Sequence, residues 1–282
     1  MVRSRYNDVY GFDTIQREAG GAMKRLALIL ALASLVAVHG QGKVVRIATL
    51  PEFPPFCFLK PGGAMVDGER VPHGHDSVNL QGYAWDLVRE SYHARGYTIV
   101  LSVRPWSWCL SMLDRGLVDL VFPAEVTDER LERYAYSSET VDSMGLTVYV
   151  PADRVLSESA YQNLRGLRVG YLSAWSYGDA LALYPDVVLV PLFEDIRSAF
   201  DLLDSRRRFD ALAGYDIPFD YVLRLMGAYD DYDRVRIPWN IVDYLMGLKG
   251  DGHAAGLLAE FDAGKRAIAA SGLLRVLEGK RY

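Results

Sequence analysis

From Lys43 onward the apolar positions switch repeatedly between two periods. Short runs rich in β-branched residues, bounded by turn residues, predict strands at Val44–Leu50, Thr98–Val103, Val118–Phe122 and Leu146–Val150. Between them apolar residues recur at helical spacing. Ala84, Leu87, Val88 and Tyr92 predict a helix over Ala84–Arg95, with Gly96 placed to end it. Trp106–Arg115 predicts a second helix, followed by Gly116. A third should start at Thr127, whose hydroxyl suits an N-cap, with Asp128 and Glu129 in the first turn where the helix dipole favours negative charge. The pattern then restarts. Leu167–Leu172, Val187–Leu192 and Phe209–Ala213 predict strands, interleaved with helices at Gly178–Leu183, Ile196–Ser205 and about Pro218–Met226. A last strand at Tyr244–Leu248 precedes two helices, about Ala254–Ala270 and Leu273–Glu278.

Two strand–helix–strand series in one chain predict an α/β fold of two lobes, each built on a mainly parallel sheet flanked by helices. A weak internal echo agrees. Met112-Leu113-Asp114 leads through a short link to Val118-Asp119-Leu120, and Leu202-Leu203-Asp204 leads likewise to Phe209-Asp210-Ala211. In such sheets ligands bind beyond the strand C-termini, so two lobes should hold a ligand in the cleft between them. Lys60–Asn79 lacks periodicity and is rich in Gly, Pro and His, which predicts a surface loop.

The first 42 residues change the picture of where the protein works. Met23-Lys24-Arg25 is followed by the apolar stretch Leu26–Val38 and by small residues around Val38-His39-Gly40, the layout of a cleaved signal peptide over 23–42. The apolar stretch is short of the ~20 residues that span a bilayer. An anchor helix is the competing reading. Residues 1–22 are polar and aperiodic and read as an extension upstream of a true start at Met23. No Cys stands at the cleavage point, so a free periplasmic protein is expected rather than a lipid-anchored one.

The chain has 282 residues, 50% of them hydrophobic, and a formal charge of −5. Residues 1–42 hold five Lys/Arg and three Asp/Glu, which leaves 26 basic against 33 acidic residues, a net of −7. That balance speaks against a nucleic-acid partner, and the basic run Arg206-Arg207-Arg208 reads as a solvated turn. Cys57 and Cys109 are the only cysteines. In an oxidising compartment they may form a disulfide or stay as buried thiols, and sequence does not decide between the two. His73-Gly74-His75-Asp76 has a zinc-like spacing, but in a polar loop it reads as solvated, so no metal is expected.

Several motifs then stand in a telling order. Phe53-Pro54-Pro55-Phe56 follows the first strand, and Gly82-Tyr83-Ala84-Trp85-Asp86-Leu87 opens the first helix. Trp106 precedes the second helix, Gly116-x-x-Asp119 enters the third strand, and Thr127-Asp128-Glu129-Arg130 and Tyr136-Ser137 follow. Leu164-Arg165-Gly166-Leu167-Arg168-Val169-Gly170 opens the second series, and Asp210-Ala211 and Asp216-x-Pro218 close the set. In this order and spacing the chain resembles, over almost all of 43–282, the family 3 extracellular solute-binding proteins, the polar-amino-acid receptors of ABC importers. The resemblance implies a type II periplasmic-binding-protein fold. Lobe 1 would comprise 43–147 plus 245–282 and lobe 2 148–244, with hinge crossings near Leu146–Pro151 and Val242–Leu248. It also implies a monomer that captures an amino acid or related polar solute, without a cofactor, and passes it to an ABC permease. A separate membrane sensor is the alternative partner.

The same resemblance implies site residues. The family's motif Arg holds a ligand carboxylate, which falls on Arg130; a guanidinium fork matches a carboxylate with two parallel hydrogen bonds. A surface salt bridge to Glu129 or Glu132 is the plainer role. The family's ammonium-accepting Asp falls on Asp216, but the spacing from Asp210-Ala211 is one residue long, so Tyr215 competes for that place. Phe53, Tyr83 and Trp175 match cleft-lining positions, while Trp106, Trp108 and Phe56 serve equally well as core. The chain departs from the family at Leu50, where an acid is common, at Glu125, where Thr or Ser helps hold the carboxylate, and at Ser173-Ala174-Trp175-Ser176. Glu125 must pair with Arg130 or a ligand cation, or point away. An enzyme on this fold, such as a cyclohexadienyl dehydratase-like lyase, would use Glu125 or Asp216 as its acid. No Ser-His-Asp order, P-loop or dinucleotide fingerprint is present, so no catalytic residue is expected.

Overall fold

The computed structural model describes residues 42–154, 164–173, 175, 177, 180–184, 186–193, 195–205 and 208–280. The predicted signal peptide, Ala174, Ser176, the start of the helix predicted at Gly178 and two arginines of the basic run lie outside them.

Twelve strands and seven α-helices alternate along the described chain. The first series comprises β1 (Lys43–Thr49), the short β2 (Glu52–Phe53), β3 (Cys57–Leu59), β4 (Glu69–Val71) and β5 (Leu80–Gln81), α1 (Tyr83–Ala94), β6 (Tyr97–Val103), α2 (Trp106–Asp114), β7 (Leu120–Glu125) and α3 (Asp128–Arg133). The long strand β8 (Tyr134–Pro151) leads to the second series of β9 (Arg168–Leu172), a 3-10 turn (Ala180–Leu183), β10 (Val188–Leu192), α4 (Ile196–Asp204), β11 (Ala211–Tyr215) and α5 (Asp216–Met226). A second long strand, β12 (Tyr232–Leu248), returns the chain to α6 (Gly252–Ala270) and α7 (Leu273–Glu278).

The main sheet has nine strands in the order β10-β9-β11-β8-β12-β7-β1-β6-β4, and β2-β3-β5 form a small second sheet. Pairing is parallel for β1 with β7 and for β9 with both β10 and β11. It is antiparallel where β8 and β12 join the series to each other. The sheet is therefore mixed, with the parallel parts on either side of a two-stranded hinge ribbon. The ribbon's register breaks between Arg236 and Asn240 and again between Asp243 and Met246. Neither strand was predicted at its full length of 18 and 17 residues. Their outer parts carry mixed polar and apolar positions, and each is stabilised by a partner about a hundred residues away.

The internal echo has a structural basis. Asp119, just before β7, accepts hydrogen bonds from the backbone N–H of Arg46 at 2.8 Å and from its Nε at 3.0 Å. Asp210, just before β11, accepts the same two bonds from Arg168, both at 3.0 Å. In each series the Asp ties the start of the third strand to the first. The Arg168 side chain, with Arg154 adding to it, holds the Asp210 carboxyl well below the usual carboxylate range.

The loop predicted over Lys60–Asn79 contains β4, which pairs antiparallel with β6 as the sheet edge. The one-strand edge is too short to show a period. Gly82 enters α1 with φ 126, and a Cβ there would lie 2.4 Å from the Phe56 carbonyl oxygen. Only glycine allows the Tyr83 and Ala84 N–H groups to reach the Pro55 and Phe56 carbonyls, at 2.9 and 2.8 Å.

Candidate ligand-binding site

The site is assembled from the C-terminal ends of strands in both series. β1 ends beside Leu50 and β7 ends at Glu125, where Thr127 caps α3 by accepting the Arg130 N–H at 3.3 Å. The Arg130 N–H is thereby spent on the cap. Arg130 Nη1 donates to the Glu125 carbonyl oxygen at 2.9 Å, and its guanidinium stands 5.6 Å from the Trp106 ring centroid. These contacts fix the side chain's direction without neutralising it. Among the described residues no carboxylate lies within 4.0 Å of Arg130, so the predicted alternative of a bridge to Glu129 or Glu132 is not formed.

A cavity of about 240 Å³ opens beside it, lined by Leu50, Phe53, Trp106, Pro123, Glu125, Arg130, Met144, Trp175, Tyr215, Ile241 and Asp243. Six residues singled out from sequence thus meet there: Phe53, Trp106, Glu125, Arg130, Trp175 and Tyr215. The aromatic walls come from both series. Trp175 stacks on Tyr215 with centroids 5.5 Å apart, and Phe53 meets the edge of Trp175 at 5.4 Å. Tyr215 is only 4% exposed, and burial pushes its hydroxyl far above the ordinary tyrosine range.

Tyr83 and Asp216 do not line this cavity. They border a larger one of about 1140 Å³ beside the hinge, together with Asp142, Arg236 and Lys280. Burial raises the Tyr83 hydroxyl to about 12. Asp216 accepts the Gly145 N–H at 3.0 Å and the Ile217 N–H at 2.8 Å, which ties the start of α5 to β8. A Cβ at position 145 would lie 2.9 Å from its Oδ2. Of the two candidates that the sequence spacing left open, Tyr215 lines the cavity with Arg130 and Asp216 serves the hinge.

Sequence reasoning missed Asp243. It lies on β12 directly opposite Glu125 on β7 and directly opposite Asp142 on β8. Opposed residues share a face of the sheet, so three carboxyl groups stand in one row across the hinge. Asp243 is 6% exposed and lines the cavity, and Asp142 is 4% exposed. Neither Asp142 oxygen has a hydrogen-bond partner among the described residues. Burial, then the neighbouring Asp243, pushes the Asp142 carboxyl well above the usual range. Burial raises Asp243 to about 6; the Asp142 proton and Arg130 oppose that rise, and Glu125 adds to it. The only sequence signal was an acid after Val in each hinge strand, at Val141-Asp142 and Val242-Asp243.

Residues 45–280 match the bacterial extracellular solute-binding proteins, family 3. The chain belongs to this family. No curated protein matches the sequence. Among solved structures, the family fold recurs in the probable amino-acid ABC transporter extracellular-binding protein YtmK of Bacillus subtilis. It is 19% identical, with a TM-score of 0.65, over 84% of this chain and 96% of that one. A substrate-binding protein of an ABC uptake transporter from Streptococcus pneumoniae, solved with bound histidine, is 17% identical, with a TM-score of 0.64, over 83% and 90%. A histidine kinase sensor domain with similarity to periplasmic binding proteins is 18% identical, with a TM-score of 0.64, over 84% and 95%. At these identities the likeness establishes the two-lobed fold.

This family 3 member holds Cys57 and Cys109 as buried free thiols. Thr49 Oγ1 donates to Cys57 Sγ at 3.4 Å, and Cys109 donates to the Arg104 carbonyl at 3.3 Å. Burial raises Cys109 to about 12, which makes it a poor nucleophile. The acid of the His73–Asp76 loop is engaged by Lys60 and Arg89 and by Trp85 Nε1 at 2.9 Å. Among the described residues no group of three His, Cys, Asp or Glu could hold a metal, and no helix is long and apolar enough to cross a membrane.

Proposed function

We propose that this protein captures a small amino-acid-like solute in the 240 Å³ cavity, outside the cytoplasmic membrane, and delivers it to an ABC importer. One observation carries the reading: Arg130 is held in place by a carbonyl and an indole, yet has no carboxylate partner among the described residues. Such a guanidinium is preorganised for an anionic group, and the aromatic walls around it exclude water. The cavity has room for a small solute, at ~30 Å³ for each water displaced. The lobes are 43–147 with 245–282, and 148–244. A ligand that touches Arg130 on one and Tyr215 on the other favours the closed arrangement of the two.

A second use of the same site is as the input of a separate membrane sensor, supported by the likeness to a kinase sensor domain. Capture itself is tested by calorimetry against amino acids, opines and polyamines. Arg130→Ala should weaken the best ligand by ~2–5 kcal/mol, because the ligand's anion is left buried and unpaired. Unchanged affinity removes Arg130 from the site. Given a ligand, copurification with a permease or with a sensor separates transport from signalling.

A further inference from the structure

The cavity holds more negative than positive groups. Arg130 is the single cation among its described lining residues, against the carboxylates of Glu125 and Asp243. Glu125, Asp243 and Asp142 are register partners across β7, β12 and β8, and no cation of a described residue pairs with any of them. Asp142 stands behind Asp243, and among the described residues no donor group of another side chain or backbone reaches either of its oxygens. A buried charge in that setting would cost far more than a bound proton, and two opposed carboxylates do not both ionise. The proton of the pair therefore sits on Asp142, and Asp243 carries the charge toward the cavity.

We propose that the ligand is a net cationic amino-acid-like solute: Arg130 takes its carboxylate, Asp243 and Glu125 take its positively charged nitrogens at the hinge, and Asp142 is a neutral positioning acid behind Asp243. This rests on the reading that the cavity takes an amino-acid-like solute, and names its charge class. The hinge supplies the acceptor beside Arg130, since Asp216 borders the larger cavity and its Oδ1 accepts the Gly145 and Ile217 N–H groups. The titratable groups beside the row include Cys57 on β3, Tyr83 on α1, Tyr136 on β8 and Tyr215 on β11, all shifted toward their neutral forms. Arg236, Lys265 and Lys280 border the larger cavity with Asp142, and among the described residues none of them forms an ion pair with the row.

Calorimetry at pH 7.5 with the twenty standard amino acids, L-citrulline and L-norleucine tests the inference. L-arginine or L-lysine should bind, and its neutral counterpart, L-citrulline or L-norleucine, should bind roughly 30-fold more weakly or worse. Asp243→Asn should weaken the cationic ligand by a similar factor, with near-ultraviolet circular dichroism reporting its fold. In the wild type, lowering the pH from 7.5 to 5 protonates Asp243, so affinity should fall roughly tenfold. That series needs no variant to fold. Equal binding of a neutral counterpart, wild-type affinity in Asp243→Asn, or a pH-independent affinity overturns this inference and leaves solute capture standing. If none of the panel binds, both fall.

Discussion

At the residue scale, the chain keeps two aspartates where they are costly. Asp142 and Asp243 hold protons more tightly in the fold than in the unfolded chain, whose carboxyls titrate near about 4. Folding therefore takes up protons, and this contribution to stability falls as the pH rises from that value. The Asp243 share stops changing above about 6, whereas the Asp142 share continues to fall. Asp142→Asn removes the need to bind a proton. The variant should gain on the wild type as the pH rises from 4 to 7. Urea midpoints at three pH values measure it, and a variant that loses ground with rising pH would mean that Asp142 is ionised. Asp210 works in the opposite sense. Its carboxyl is held low by Arg168, so its contribution is present at neutral pH and is lost as the pH falls below the unfolded value.

At the scale of elements, the hinge ribbon decides which side chains reach the cleft. β11 ends at Tyr215 and α5 begins at Asp216, so two adjacent residues face different cavities. Asp216→Ala removes the acceptor of the Gly145 and Ile217 N–H groups and should lower stability by about 1–2 kcal/mol while leaving ligand affinity within about threefold. Thermal unfolding beside calorimetry separates the two effects. A collapse of affinity with unchanged stability would return Asp216 to the binding site. Sequence reasoning placed most elements within a few residues because their periods are local. It shortened β8 and β12, whose polar outer halves are held only by pairing with each other and with β7 and β11.

At the scale of the whole molecule, the two lobes already touch across the cleft. Phe53 meets Trp175, and Phe58 on β3 meets Tyr221 on α5 at 5.8 Å. The second pair lies away from the ligand cavity and adds to closure alone. An aromatic pair contributes ~0.5–1.5 kcal/mol beyond its buried area. Tyr221→Ala should therefore enlarge the ligand-free radius of gyration in solution scattering and weaken the ligand about two- to tenfold. An unchanged scattering profile would show that this contact does not bias the lobes.

The sequence by itself determined the alternating elements, the two-lobed architecture, the family and the presence of Arg130 at the head of α3. Those features are written in local periods and in ordered motifs that any fold of this chain must satisfy. Tertiary structure alone decided that Tyr215 rather than Asp216 lines the cavity, that Arg130 lacks a carboxylate partner among the described residues, and that Glu125, Asp243 and Asp142 form one row. That row joins residues far apart in the chain, brought into register by backbone hydrogen bonds between β7, β12 and β8. Strand register is a long-range property, and a shift of one residue would turn each of these carboxyls to the opposite face.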